Sequence, residues 1–150
     1  MKKIAVRTKS MVQLEGKPDT RVNRVTPSPV ITLSPSRIGF IKPKLQVKEG
    51  DTVLLGSKLF YDKKNEYAQY VSPAGGVIQS IQYGERRSIQ NISIKRDKKE
   101  ASDSFKRYKE ADLAMLTYDE LVAVISQSGL WPCIKSLRFR AIANPQAKPK

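Results

Sequence analysis

Residues 37–96 constrain the fold more than any other part of the chain. Short β-prone runs follow one another there, each ended by turn residues. Strands are expected at 44–47, 52–54, 58–61, 67–71, 76–83 and 88–95. The breaks are Glu49-Gly50-Asp51, Leu55-Gly56-Ser57, Asp62-Lys63-Lys64-Asn65, Ser72-Pro73-Ala74-Gly75 and Tyr83-Gly84-Glu85. Parallel strands need helical crossovers, and these gaps leave no room for them. The expected class is therefore mainly β, a sandwich or barrel of short strands, with a small α segment. Simple alternation places Val77, Gln79, Ile81 and Tyr83 on one face and Ile78, Ser80 and Gln82 on the other. It likewise sets Ile89, Asn91 and Ser93 opposite Gln90, Ile92 and Ile94.

The flanks read differently. Residues 1–36 form an arm with short strands, punctuated by Pro18, Pro27, Pro29 and Pro35, and the run Val30-Ile31-Thr32-Leu33 is β-prone. Residues 97–140 form a helical segment that opens on a polar run. Its clearest signal is Thr117-Tyr118-Asp119-Glu120, a capping box, with Leu116 and Leu121 placed as a hydrophobic staple. Leu121, Val122, Val124 and Ile125 supply the apolar face. Gly129 is the expected left-handed stop, Leu130 its apolar companion, and Pro132 blocks continuation. Residues 141–150 read as a linker tail, and the natural chain is expected to run on past Lys150.

Composition removes whole classes of chemistry. The 150 residues contain no histidine, which excludes a Ser-His-Asp or Cys-His system and a His metal site. The lone Cys133 excludes an intrachain disulfide or a CxxC pair, so the chain reads as intracellular, and a small packed role is expected for it. The longest apolar run, Leu121 to Ile125, falls far short of the ~20 residues that cross a bilayer. No GxGxxG or GxxxxGK[ST] loop is present, and no isolated carboxylate pair stands out. No catalytic, cofactor-binding or metal site is expected in this chain. The formal net charge is +14, with basic ends that suit an anionic partner or simply keep the chain soluble.

Two blocks belong together: Val47-Lys48-Glu49-Gly50-Asp51-Thr52-Val53-Leu54-Leu55-Gly56 and Val71-Ser72-Pro73-Ala74-Gly75-Gly76-Val77. Their layout resembles the barrel-sandwich hybrid fold of biotinyl and lipoyl carrier domains. A longer series resembles, over essentially the whole chain, the N-terminal part of the A subunit of the sodium-translocating NADH:quinone reductase family. It comprises Gly39 to Asp51, Leu59 to Asn65, Ser72 to Val77, Gly84 to Gln90 and Ser128 to Pro132. That resemblance implies a peripheral subunit on the cytoplasmic side of a bacterial inner membrane, with a structural and docking role. The implied partners are the other subunits, integral membrane subunits included, with quinone as a further candidate. It implies a complex that uses NADH, flavins, iron–sulfur centres, ubiquinone and Na+, none of them carried by this chain.

Candidate docking or quinone-proximal residues are Arg86 and Arg87 at a hairpin end, Trp131 after the helix stop, and Arg138 and Arg140 flanking Phe139. Each also has a plainer use, as an exposed turn, a core anchor or an edge strand. Two alternatives stand beside this reading. A basic nucleic-acid-binding protein fits the charge but lacks an aromatic stacking row, so nucleic acid is not the expected partner. A lipoyl- or biotinyl-like carrier would modify Lys63 or Lys64. Against it, the Met-Lys-Met type tip is absent and the Asp62 to Glu66 tip reads as longer than a two-residue turn.

Overall fold

Among the described residues, seven strands form two antiparallel sheets that close on one core. The computed structural model describes residue 16 and residues 19–22, 25–99, 101–136 and 139–146. The strands are β1 (Val30–Leu33), β2 (Pro43–Leu45), β3 (Thr52–Val53), β4 (Lys58–Asp62), β5 (Asn65–Val71), β6 (Gly76–Tyr83) and β7 (Ile89–Arg96). One sheet has the order β1-β7-β6-β3 and the other β2-β4-β5. Thus β1, from the expected N-terminal arm, is an edge strand of the four-stranded sheet and pairs with β7 from Val30↔Lys95 to Leu33↔Ile92. Helices α1 (Glu110–Leu113) and α2 (Tyr118–Gln127) follow, with single 3₁₀ turns at Pro35–Arg37, Glu85–Arg87 and Trp131–Cys133.

The core unites both sheets. Leu59 and Phe60 come from one, and Val53, Ile78, Ile81, Ile89, Ile92 and Ile94 from the other. Burying such side chains contributes about 1.5–3 kcal/mol each. The Arg21–Asp19 pair at 4.0 Å is exposed on both sides, so solvent screens it and it adds little to stability.

Simple alternation does not build that core; bulges do. Ile78 pairs with Ile94 and Ser80 with Ser93, which leaves Gln79 as an extra residue on β6. Ile78 and Ile81 therefore both face inward, where strict alternation separates them. On β7 the extra residue is Gln90, between the Gln82↔Asn91 and Tyr83↔Ile89 pairs, so Ile89 joins Ile92 and Ile94. On β4 the shift between Lys58↔Val71 and Phe60↔Tyr70 lets adjacent Leu59 and Phe60 both be buried. Phe60 stacks on Tyr70, centroids 4.6 Å apart at 10°. Gly76 is required at its corner, because a Cβ there would sit 2.0 Å from the Lys95 carbonyl oxygen.

Helix α2 starts as expected. Thr117 N–H donates to Glu120 Oε2 at 2.8 Å, and Glu120 N–H donates to Thr117 Oγ1 at 3.4 Å. It stops in a Schellman motif, with Gly129 at φ +73°, Gly129 N–H on Ser126 O and Leu130 N–H on Ile125 O. Its buried residues are Val122 and Ser126, not the broad face expected; Val124 and Ile125 are half-buried, and Leu121 and Leu130 are exposed. Ser126 Oγ donates to Tyr67 O at 2.7 Å, which ties α2 to β5. The C-terminal segment also departs from the linker reading. Lys135 bridges to Ile142, Ala143 N–H donates to Ile134 O, and Pro145 is buried.

Candidate functional site

A cleft of about 1740 Å³ runs along the β4–β5 hairpin. Residues 37–40, α2, Pro132, Cys133, residues 139–142, Asn144 and Gln146 also line it. The hairpin turn itself is tight: Asp62 pairs with Asn65, leaving only Lys63 and Lys64 between them. This corrects the expectation of a longer tip. The reason is Asp62, 4% exposed, whose Oδ1 accepts from Lys64 N–H at 3.1 Å and Lys42 N–H at 2.8 Å. A carboxylate folded back onto the residue two ahead holds a turn that sequence alone does not reveal. Regular pairing resumes only at Tyr61↔Gln69, so Glu66, Tyr67 and Ala68 have no opposite partner on β4. That extra length shapes the cleft wall.

Two buried polar atoms in the cleft have no hydrogen-bond partner among the described residues: Gln69 Oε1 and Tyr70 Oη. Both residues line it. Burial, then the Asp62 carboxylate, then Cys133, push the Tyr70 phenol up to about 12, so it remains a neutral donor. Gln69 is half satisfied, since its Nε2 donates to Glu66 O at 2.7 Å. At the rim stand Phe40, 90% exposed at φ +66°, and Arg140, exposed at φ +51°. A left-handed conformation costs a non-glycine residue about 1–2 kcal/mol. Gly39, next to Phe40, has ordinary φ, so the strain falls on the aromatic residue. The cleft also holds Arg37, Lys58, Lys64 and Lys135, and neither they nor Arg140 form an ion pair among the described residues.

The expected site residues separate into two places. Arg140 lies at the cleft, while Arg138 lies outside the described residues. Trp131 is internal, 5% exposed, and its Nε1–H donates to Ala143 O at 2.8 Å. Asn65 Nδ2 donates to the same oxygen at 3.0 Å, so Trp131 anchors the strap that covers the hairpin. Arg86 and Arg87 stand exposed on the other sheet, at the β6–β7 tip, both left-handed at φ +53° and +57°. Cys133 is exposed at the cleft instead of packed. Phe40, Gln69 and Tyr70 were not singled out from sequence. A Gly-Phe step in a turn is a weak signal for the first, and nothing local marks the other two.

No group of three or more His, Cys, Asp or Glu side chains able to hold a metal occurs among the described residues. No helix among them is long and apolar enough to cross a membrane.

Comparison with known proteins adds the lineage. Residues 4–97 match the family described as the NqrA N-terminal barrel-sandwich hybrid domain. The chain is 34% identical over 140 residues to the Na(+)-translocating NADH-quinone reductase A subunit of Pseudomonas aeruginosa, covering 91% of this chain and 30% of that one. It is 39% identical over 116 residues to the protein of that name from Cellvibrio japonicus, covering 75% and 26%. The chain thus spans about 30% of the length of such relatives. The two facing sheets give the architecture and the match gives its lineage: this chain belongs to the family of NqrA N-terminal barrel-sandwich hybrid domains.

Proposed function

We propose that this chain serves as the N-terminal part of the peripheral A subunit of a sodium-pumping NADH:quinone oxidoreductase, as a structural and docking element near the quinone site. It lies on the cytoplasmic side, against the integral membrane subunits. The observation that carries the docking role is the cationic cleft, in a chain whose match to such relatives extends over 91% of its length. NADH oxidation, flavin and iron–sulfur electron transfer, ubiquinone reduction and sodium export belong to the rest of the complex. The donor set for a metal cluster does not fit the described residues.

The test is fractionation of the source cells and blotting with an antibody raised to this chain. A band much larger than 16.9 kDa, in membranes and released with the other reductase subunits, is the expected result. A soluble 16.9 kDa band overturns it. For quinone proximity, a photoreactive quinone on intact complex is expected to label peptides bordering the cleft; label confined to other subunits sinks that part.

A second reading, the carrier, is favoured by one observation: Lys63 and Lys64 stand exposed on a two-residue turn. Against it, the strap at Ala143 is bonded to Asn65, beside that turn. Intact-mass measurement of the natural protein decides, since a lipoyl or biotinyl increment on either lysine would establish modification. The nucleic-acid reading predicts steeply salt-dependent DNA or RNA binding.

A further inference from the structure

We infer that the cleft beside β5 receives an extended, acidic polypeptide segment bearing apolar side chains, contributed by a partner subunit. The inference rests on the docking reading above and names the chemistry of what docks.

Size comes first. Small-molecule pockets usually hold about 300–1,000 Å³. At about 1740 Å³ this cleft exceeds that range and has volume for several residues of chain. Charge comes second. Arg37, Lys58, Lys64, Lys135 and Arg140 line it without ion pairs among the described residues. Of the two carboxylates there, Asp62 is buried and accepts from Lys42 and Lys64 N–H, which leaves Glu66 as the exposed one. Charge complementarity therefore favours an acidic occupant.

The hydrogen-bonding pattern chooses among acidic occupants. Gln69 Oε1 lacks a donor and Tyr70 Oη lacks an acceptor, and both atoms are closed to solvent, so an occupant meets them only as the side chains over them move aside. A peptide backbone presents an N–H and a C=O on every residue and can answer both. A quinone ring offers carbonyls to Tyr70 and no donor to Gln69. A phosphate diester likewise offers acceptors only. Finally, Phe40 is held outward in a strained conformation at the rim. Strain of this kind persists where a site needs the side chain in that place. An apolar side chain of the incoming segment would pack on it.

The experiment uses the 150-residue chain. A peptide array tiles the other subunits of the reductase from the same genome, and hits are titrated by fluorescence polarisation. Expected hits are acidic tiles with interspersed apolar residues, with binding that weakens steeply as salt rises. Phe40→Asn is expected to weaken a hit about tenfold while leaving the thermal midpoint unchanged or raised, because asparagine tolerates left-handed backbone. Lys64→Glu with Lys135→Glu is expected to abolish it. The Gln69 side-chain amide resonances are expected to shift on binding. Binding to no tile, to acidic and basic tiles alike, or without the Gln69 shift overturns the inference. So does a single-stranded oligonucleotide or a short-chain ubiquinone that binds in place of the tiles with the same Phe40 dependence. Co-purification of the chain with the reductase is scored separately: if it co-purifies and no tile binds, docking stands and this inference fails.

Discussion

The β4–β5 and β6–β7 hairpins both end in adjacent basic residues, Lys63-Lys64 and Arg86-Arg87, and their backbones are held in opposite ways. At the first tip both lysines keep ordinary φ, although two-residue hairpins favour left-handed turns. The buried Asp62 carboxylate makes the difference by taking the N–H groups of Lys64 and Lys42. Asn65 then ties the tip to the C-terminal strap. At the second tip no side chain among the described residues takes a backbone N–H of the turn; Gln90 Nε2 donates to Ser88 Oγ instead, at 3.1 Å. Gly84 occupies an extended conformation, and the two left-handed positions fall on Arg86 and Arg87. Two like-charged tips are therefore a pinned scaffold and a strained display. The difference teaches that tip charge does not report backbone ease; the neighbouring acceptor does.

The largest effect is expected where the pinned tip is broken. Asp62→Ala leaves two backbone N–H groups without their acceptor, a cost of about 2–3 kcal/mol. For a chain of this size that lowers the thermal midpoint by roughly 5–10 °C. Asp62→Asn retains an acceptor oxygen and should lose less than half as much. A wild-type midpoint in Asp62→Ala would falsify the pinned-tip account.

The opposite sign is expected at the other tip. Replacing Arg86 and Arg87 together by glycine relieves left-handed strain and should stabilise by about 1 kcal/mol, read by urea denaturation. Docking to the reductase should weaken in the same variant. A destabilised variant would mean that the arginines hold the tip and do not merely tolerate it.

A smaller effect sharpens the contrast on the first hairpin. Ser126→Ala removes the bond to Tyr67 O in the unpaired Glu66–Ala68 stretch, at a cost of about 1 kcal/mol. Amide exchange should quicken around residues 66–69 and stay unchanged at the β6–β7 tip. Exchange that quickens equally at both tips would show that the hairpins are not independent.

The smallest effect is a control away from both tips. Thr117 N–H, then the Thr117 hydroxyl, hold the Glu120 carboxyl below the ordinary glutamate range. A folded pKa below the unfolded one stabilises above the unfolded value, and the contribution is lost as pH falls through the folded value. Helix content followed by circular dichroism should therefore decline on acidification, and Glu120→Gln should remove that limb of the titration. An unaltered acid limb in the variant assigns it to another group.

The strands were legible because their ends are written in glycine, proline and Asx residues, which act on the backbone within two or three positions. The α2 start was legible for the same reason, since Thr117 and Glu120 satisfy each other across three residues. The facing of the strands was not. Ile78 and Ile81 are three apart, and only the bulge at Gln79 turns both inward. Residues 141–146 read as linker because Ala143 and Pro145 carry no local signal. Their carbonyls are bonded by Trp131, Asn65 and Tyr118, 12 to 78 residues away.

The sequence by itself determined the mainly β class, the turn positions, the helix cap and the exclusion of histidine chemistry. These are properties of single residues and near neighbours. Tertiary structure alone decided which non-glycine residues take left-handed backbone, where the bulges fall, and that Gln69, Tyr70 and Phe40 share one cationic cleft. The physical reason is range. Local preferences fade within a few residues, whereas a buried N–H or hydroxyl takes its partner from whatever segment packs against it.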